Sequence, residues 1–380
     1  MPRRFGWPPQ AAGEEKSGPG RCGSPHRARG LRPALLKQER RTYDYPKKIG
    51  VAVCAAALLV AAVTFIKVYS SNMSAAVEIR LAHNQQEGSE IADSIALFSD
   101  FVTQTDTGME VKIYPSGVLG TENEEIEMVK AGILDMAKVS SNTLEQFDDR
   151  YAIFAIPYLF VDQDHYYTAM EQSQAVQDLF TSTRDQGFIA IGYYANGSRN
   201  FYLKEDVPVT DPSVLNNKKI RSMVSSTSME MIEAMGGSAV PMSSSETYTA
   251  LQQGMVDGAE NTELALTVNG HQDLVKSYTY TEHQYSPDIY IISAATWDSL
   301  TAEQQQALVT SLEQTNENFK SLYSNMMADA IAEAEEHGVH VYYDIDKTAF
   351  IEAVQPIHEE YCGRGDEYRA LYEDIQSYAD

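Results

Sequence analysis

Arginine is scarce in the acidic body of this chain, and its placement carries chemical meaning. Beyond residue 76 there are seven: Arg80, Arg150, Arg184, Arg199, Arg221, Arg364 and Arg369. Arg221 stands in Lys-Ile-Arg-Ser-Met, an apolar strand-like context where a cation is unfavourable unless it is paired. A guanidinium fork matches a carboxylate with two parallel hydrogen bonds. The chemistry open to Arg221 is therefore recognition of an acid, with a structural ion pair as the competing reading. Catalytic spacings are missing from residues 77–380: there is no G-x-S-x-G, H-E-x-x-H, G-x-x-x-x-G-K-[ST] or G-x-G-x-x-G there. His337 and His340 are three apart, but Gly338 between them marks a helix end and no third ligand is near, so no metal site is expected. Asp162 with Asp164, and Asp344 with Asp346, lack the glycine and terminal glutamate of a calcium loop and read as solvated turns. Asn196-Gly197-Ser198 matches the short glycosylation pattern, which recurs by chance. Tyrosine pairs such as Tyr166/Tyr167 and Tyr193/Tyr194 suit either a sugar-lining wall or ordinary core.

The elements that must carry these residues follow from periodicity. VEIRLAH (77–83) alternates as a strand, and 89–104 places Ile91, Ile95, Phe98 and Val102 at helical spacing. MEVKIYP (109–115) is a second strand ended by Pro115. Thr121 and Glu124 form a capping box for a helix that Gly132 ends, and 133–140 is a third strand. The start thus reads β-α-β-α-β, an α/β layer with parallel strands and right-handed crossovers. A helix is expected from about Asp164 to Arg184, then strands at 188–194 and 199–204. Further on, the strand KIRSM leads into a helix closed by Gly236 and Gly237. Ser243 and Glu246 cap the next helix, and 279–297 is long and β-rich. Thr301 and Gln304 cap a helix of up to roughly 35 residues, long enough to join two domains. VHVYY (339–343) is a last strand before two helical stretches in 348–379.

Charge divides the chain. The 380 residues carry a formal net charge of -25, yet 13 of the 29 Lys and Arg and 4 of the 54 Asp and Glu lie in residues 1–76. The remainder therefore has 16 basic residues against 50 acidic ones. That sign excludes nucleic acid as a partner and an anionic membrane as a docking surface. Residues 1–48 are a basic, unstructured leader rich in Arg, Pro and Gly. Lys47 and Lys48 precede 18 uncharged residues, 49–66, the pattern of a signal sequence or of a retained anchor. Either places residues 77–380 outside the cytoplasm. Only Cys362 lies in the acidic part, so no internal disulfide is available there.

Four segments in order resemble the solute-binding subunit of TRAP transporters, the dicarboxylate-binding DctP family. They are VKIYPSGVLGTENEEIEMVKAGILDMA (111–137), FAIPYLF (154–160), NGSRNFY (196–202) and KKIRSMVSSTSMEMIEAMGGSAVPMSSSETYTALQQGMVDGAENTE (218–263). The resemblance implies an α/β, two-lobed periplasmic-binding-protein-like fold with an interlobe cleft and a long helix joining the lobes. Lobe I would hold 77–195 with about 287–326, and lobe II 196–286 with about 327–380. It implies that Arg221 pairs with a ligand carboxylate, that Arg199 assists, and that Asn261 hydrogen-bonds the ligand. Asn84 and Ser140, at the ends of the first and third strands, fall where other members contact ligand.

The chain departs from the family in three places. Ser222-Met223 replaces Val-Pro, Thr262 replaces Pro, and Ser243-Ser244-Ser245 replaces an aromatic loop, with Ser244 as a candidate contact. These changes imply a smaller or more polar wall. The expected function is extracytoplasmic capture of an organic acid for uptake by the small and large membrane subunits of a TRAP system. It needs no cofactor or metal, changes nothing chemically and is expected of a monomer. The alternatives are a secreted hydrolase for acidic substrates and a ligand-sensing domain tethered to the membrane.

Overall fold

The computed structural model describes residues 76–379. The leader and the apolar run 49–66 lie outside the described residues. The expected β-α-β-α-β start is present. β1 (Val77–His83), β2 (Met109–Tyr114) and β3 (Met136–Ser140) are parallel, connected by helices Glu90–Gln104 and Glu122–Lys130. Thr121 and Glu124 form the capping box of the second helix, satisfying two of its free amides. β4 (Phe188–Tyr194) and β10 (Asp288–Ser293) complete a five-stranded sheet in the order β2-β1-β3-β10-β4, with β10 antiparallel to both neighbours.

The second sheet has six strands: β5 (Ser198–Leu203), β6 (Lys219–Ser222), β7 (Ser238–Pro241), β8 (Gly258–Asn261), β9 (Ser277–Tyr285) and β11 (His340–Tyr342). Their order is β11-β9-β5-β8-β6-β7. Each sheet has its own apolar packing. Ile79, Leu81, Val139 and Ile291 belong to the first core, whereas Phe201, Ile220, Tyr202 and Ala259 lie in two clusters on the second sheet. The chain is thus a two-lobed α/β protein.

Among the described residues, three connections run from a strand of one sheet to a strand of the other. Residues 195–197 join β4 to β5, and Ser286-Pro287 joins β9 to β10. The third is helix Ala302–Glu336, 35 residues long and begun by the Thr301/Gln304 capping box. Its apolar stripe packs Leu308, Leu312, Phe319, Tyr323 and Met326 into the first core and Ile331 and Ala334 into the second lobe. The β-rich stretch 279–297 is therefore two strands in different sheets, because Pro287 cannot donate to a continuing ladder. The helix expected over 164–184 is broken at Ser173, whose side chain caps a second helix by accepting from Val176 N. Helix Thr348–Gly363 packs Phe350, Val354 and Ile357 on the second lobe. Helix Asp366–Gln376 places Leu371 and Ile375 in the first core, so the C-terminal segment touches both lobes.

Candidate functional site

Arg221 projects from β6, which lies between β7 and β8. It is 4% exposed, and its Nε and Nη2 donate to Met242 O at 3.2 and 2.8 Å. Met242 N in turn donates to Ser222 O, so the turn after β7 holds the carbonyl that orients the fork. No carboxylate lies within ion-pair distance of Arg221 among the described residues. Burial lowers its hold on its proton below the ordinary arginine value, against the pull of Glu260. A buried cation without a fixed counter-charge is unfavourable for folding and favourable for an incoming anion.

Arg199, on β5, is equally buried but is neutralised. Phe201 pairs with Glu260 in the β5–β8 register, which brings the Glu260 side chain to Arg199. Nε donates to Glu260 Oε2 at 2.6 Å and Nη2 to Oε1 at 3.0 Å, a bidentate pair. Nη2 also donates to Glu260 O, and Nη1 to Asn261 Oδ1, both at 3.0 Å. Burial opposes the Glu260 charge, but Arg199 outweighs it and holds the carboxyl down at about 2. His283 stacks on Phe201 and brings Nε2 to 3.5 Å from Glu260, too long for a good hydrogen bond. Burial keeps that ring below its ordinary value despite Glu260. Arg199 is therefore the main partner of Glu260, with His283 adding to the lowering, and it also sets Asn261. Asn261 Oδ1 accepts from Arg199 and from Thr262 N at 2.9 Å, which leaves Nδ2 as the donor for other partners.

The other lobe supplies the opposite wall. Asn84 and Ser140 meet at Glu122, a residue the sequence did not single out because it reads as an ordinary first-turn helix acid. Glu122 Oε1 accepts from Asn84 Nδ2 at 2.8 Å and from Ser140 N at 3.2 Å, and Oε2 accepts from Thr143 Oγ1 at 2.6 Å. Burial, helped by Asp288, raises its pKa above the usual carboxylate value. Behind it, fully buried Lys138 pairs with Asp288, and its ammonium lies 5.3 Å from the Tyr194 ring centre. His83, opposite Lys138 in the β1–β3 register, is pushed down to about 3 by burial and by that lysine. Lys138 and Asp288 were also missed. They are 150 residues apart, and only the insertion of β10 beside β3 joins them.

Ser140 Oγ lies 3.7 Å from Met223 Sδ, so the two walls approach each other next to Arg221. The structure thus gathers Asn84 and Ser140 around Glu122, and Arg199 and Asn261 around Glu260, with Arg221 held by Met242. Ser244 begins helix Ser244–Gln253 two residues after Met242, is partly exposed, and shares no side-chain hydrogen bond with these groups. His337 pairs with Asp273 and His340 with Asp206, so the two histidines have separate partners. A cation on one wall and hydrogen-bonding polar groups on both suit a small acid that also carries hydroxyls.

The profile described as bacterial extracellular solute-binding protein, family 7 (DctP) matches residues 81–364. The uncharacterized protein YiiZ of Salmonella typhimurium is 36% identical over 302 residues, covering 79% of this chain and 91% of that one. A crystal structure of a TRAP periplasmic solute-binding protein from Anaerococcus prevotii with bound D-glucuronate superposes with a TM-score of 0.75. It is 34% identical and covers 80% of this chain and 98% of its own. A Sulfitobacter TRAP periplasmic solute-binding protein with bound β-D-galacturonate superposes at 0.74, with 29% identity and coverage of 79% and 99%.

Proposed function

The chain belongs to the DctP family of bacterial extracellular solute-binding proteins, and we propose that its ligand is a hexuronic acid. As a TRAP-type binder of carboxylates it serves uptake by a membrane permease. The observation that carries the finer reading is Arg221, buried and without a carboxylate partner among the described residues, with the Glu122 wall in the facing lobe. In this reading Arg221 pairs with the ligand carboxylate and Asn261 Nδ2 donates to one of its oxygens. Arg199 acts through Asn261 rather than as a second free charge. Asn84, Ser140 and Glu122 meet ring hydroxyls, for which a carboxylate is a strong acceptor. Ser244 lies at the rim. The bound uronates of the two structural relatives support the size and class of ligand.

Closing the lobes removes the ion pair from water and strengthens it, since charges attract more strongly at low dielectric. The ligand leaves unchanged, because binding of this kind requires no bond to form or break. The protein works as a monomer outside the cytoplasm, carried there by an N-terminal signal or held by an anchor. A thermal-shift titration with D-glucuronate, D-galacturonate, succinate and D-glucose tests the assignment. A uronate should raise the melting temperature in a concentration-dependent way, and D-glucose should not. Stabilisation by succinate with none by either uronate would overturn it.

A further inference from the structure

Besides the residues assigned to the ligand, the lobes touch along a second line. Residues 141–146 follow β3 on one side, and residues 223–228 follow β6 on the other. Asn142 Nδ2 donates to Ser228 Oγ at 2.7 Å, and Gln146 Nε2 donates to Val224 O at 2.8 Å. Between them, the Glu145 carboxylate accepts from Thr227 Oγ1 at 3.0 Å, from Thr227 N at 3.3 Å and from Ser225 Oγ. Ser225 is the N-cap of the nine-residue helix Ser226–Ala234 and accepts from Ser228 N at 3.1 Å. Glu145 therefore reaches from one lobe onto the helix N-terminus of the other, where free amides and the helix dipole favour a negative charge. No lysine or arginine pairs with Glu145 among the described residues. Its short-range attraction is to oriented dipoles, with the Arg364 guanidinium as a more distant charge, and the dipole contacts disappear once the lobes separate and water fills the gap.

We propose that Glu145 is a closure latch: a positioning residue that holds the lobes together without touching ligand and so sets how long a ligand stays bound. The contact lies next to Arg221 and Ser140 in sequence on both sides, so it forms as the cleft shuts and breaks before ligand escapes. It therefore acts on dissociation, while capture by the open cleft proceeds without it. The inference rests on the solute-binding reading given above.

The test compares wild type with Glu145→Ala and Thr227→Val, which remove the contact from opposite lobes. Stopped-flow measurements with D-glucuronate read association and dissociation separately, and small-angle scattering reads lobe separation with and without the sugar acid. Each variant should dissociate on the order of tenfold faster, with association changed by less than about twofold. The double variant should be no faster than the quicker single one, because both remove one interaction. A merely structural role would lower the melting temperature of the ligand-free protein and leave the rate split unmoved. Dissociation within about twofold of wild type in both variants overturns the latch. If wild type binds no uronate, the hexuronate assignment fails, and scattering alone then decides: a latch variant as compact as wild type overturns the proposal, and a more extended one supports it.

Discussion

Replacing Arg221 by alanine should have opposite effects on binding and on folding. The side chain is 4% exposed, and two of its donors are committed to Met242 O. The nearby Glu260 is already matched by Arg199. In the complex, the alanine variant leaves a ligand carboxylate buried without its cation. Breaking a buried ion pair from one side costs about 3–5 kcal/mol. That corresponds to a loss of affinity between roughly a hundredfold and several thousandfold. In the ligand-free protein the same change removes a poorly compensated buried charge. The lost charge-assisted contact of Nε and Nη2 with Met242 O is worth about 1.5–3 kcal/mol, and shedding the desolvated cation offsets it. The melting temperature should therefore not fall. Arg221→Lys should bind between the two, since a point charge remains but the fork held by Met242 does not. Isothermal titration with D-glucuronate and D-galacturonate, paired with calorimetric unfolding of ligand-free protein, reads both quantities. Uronate affinity within tenfold of wild type in Arg221→Ala would refute the reasoning. So would a large drop in melting temperature, because it would show Arg221 to be a structural charge.

Two further outcomes concern groups away from the ligand. Glu125 is fully buried, neither carboxylate oxygen has a partner among the described residues, and burial pushes its pKa up to about 8. The native state thus keeps a proton that the unfolded chain releases above about 4.5, so stability falls as pH rises through that window. Glu125→Gln should remove the slope and be roughly 3 kcal/mol more stable than wild type at pH 7, with little difference near pH 4.5. Urea unfolding between pH 4.5 and 8 measures this, and a gain independent of pH would contradict the account. Gly197 sits in the β4–β5 connection, where an added Cβ would lie 1.4 Å from the Tyr323 hydroxyl. Gly197→Ala should destabilise by about 1–3 kcal/mol, and Tyr323→Leu in the same chain should recover part of it, as read by thermal melts.

What the sequence made legible was local. The capping boxes at Thr121, Ser243 and Thr301 involve residues three apart, and all three are present. The parallel β-α-β-α-β start and the 35-residue helix follow from the same short-range periodicity. Arg221 could be picked out because a charge in an apolar strand is anomalous by itself. The rest depended on distant pairings. The Arg199–Glu260 pair spans 61 residues and needs the β5–β8 register, which changes Arg199 from a free charge into a holder of Asn261. Glu122 looks like any acid in a first helical turn until the ends of β1 and β3 close over it. The break at Ser173 was hidden because its neighbours keep helical spacing, and the serine ends one helix while capping the next.

The position of β10 has a consequence for the order in which the molecule can be made. It is the strand between β3 and β4, yet it is synthesised about 95 residues after β4 and only after most of the second sheet has passed. Until residue 293 emerges, β3 and β4 have no partner between them, Lys138 lacks Asp288, and the first lobe cannot close its sheet. Such non-local pairing makes folding late and slow. Until β10 is in place, β4 is unpaired and β3 keeps one open edge, so the insertion of β10 is what closes both at once. The same interleaving ties the lobes together, because neither sheet can be finished by one uninterrupted stretch of chain.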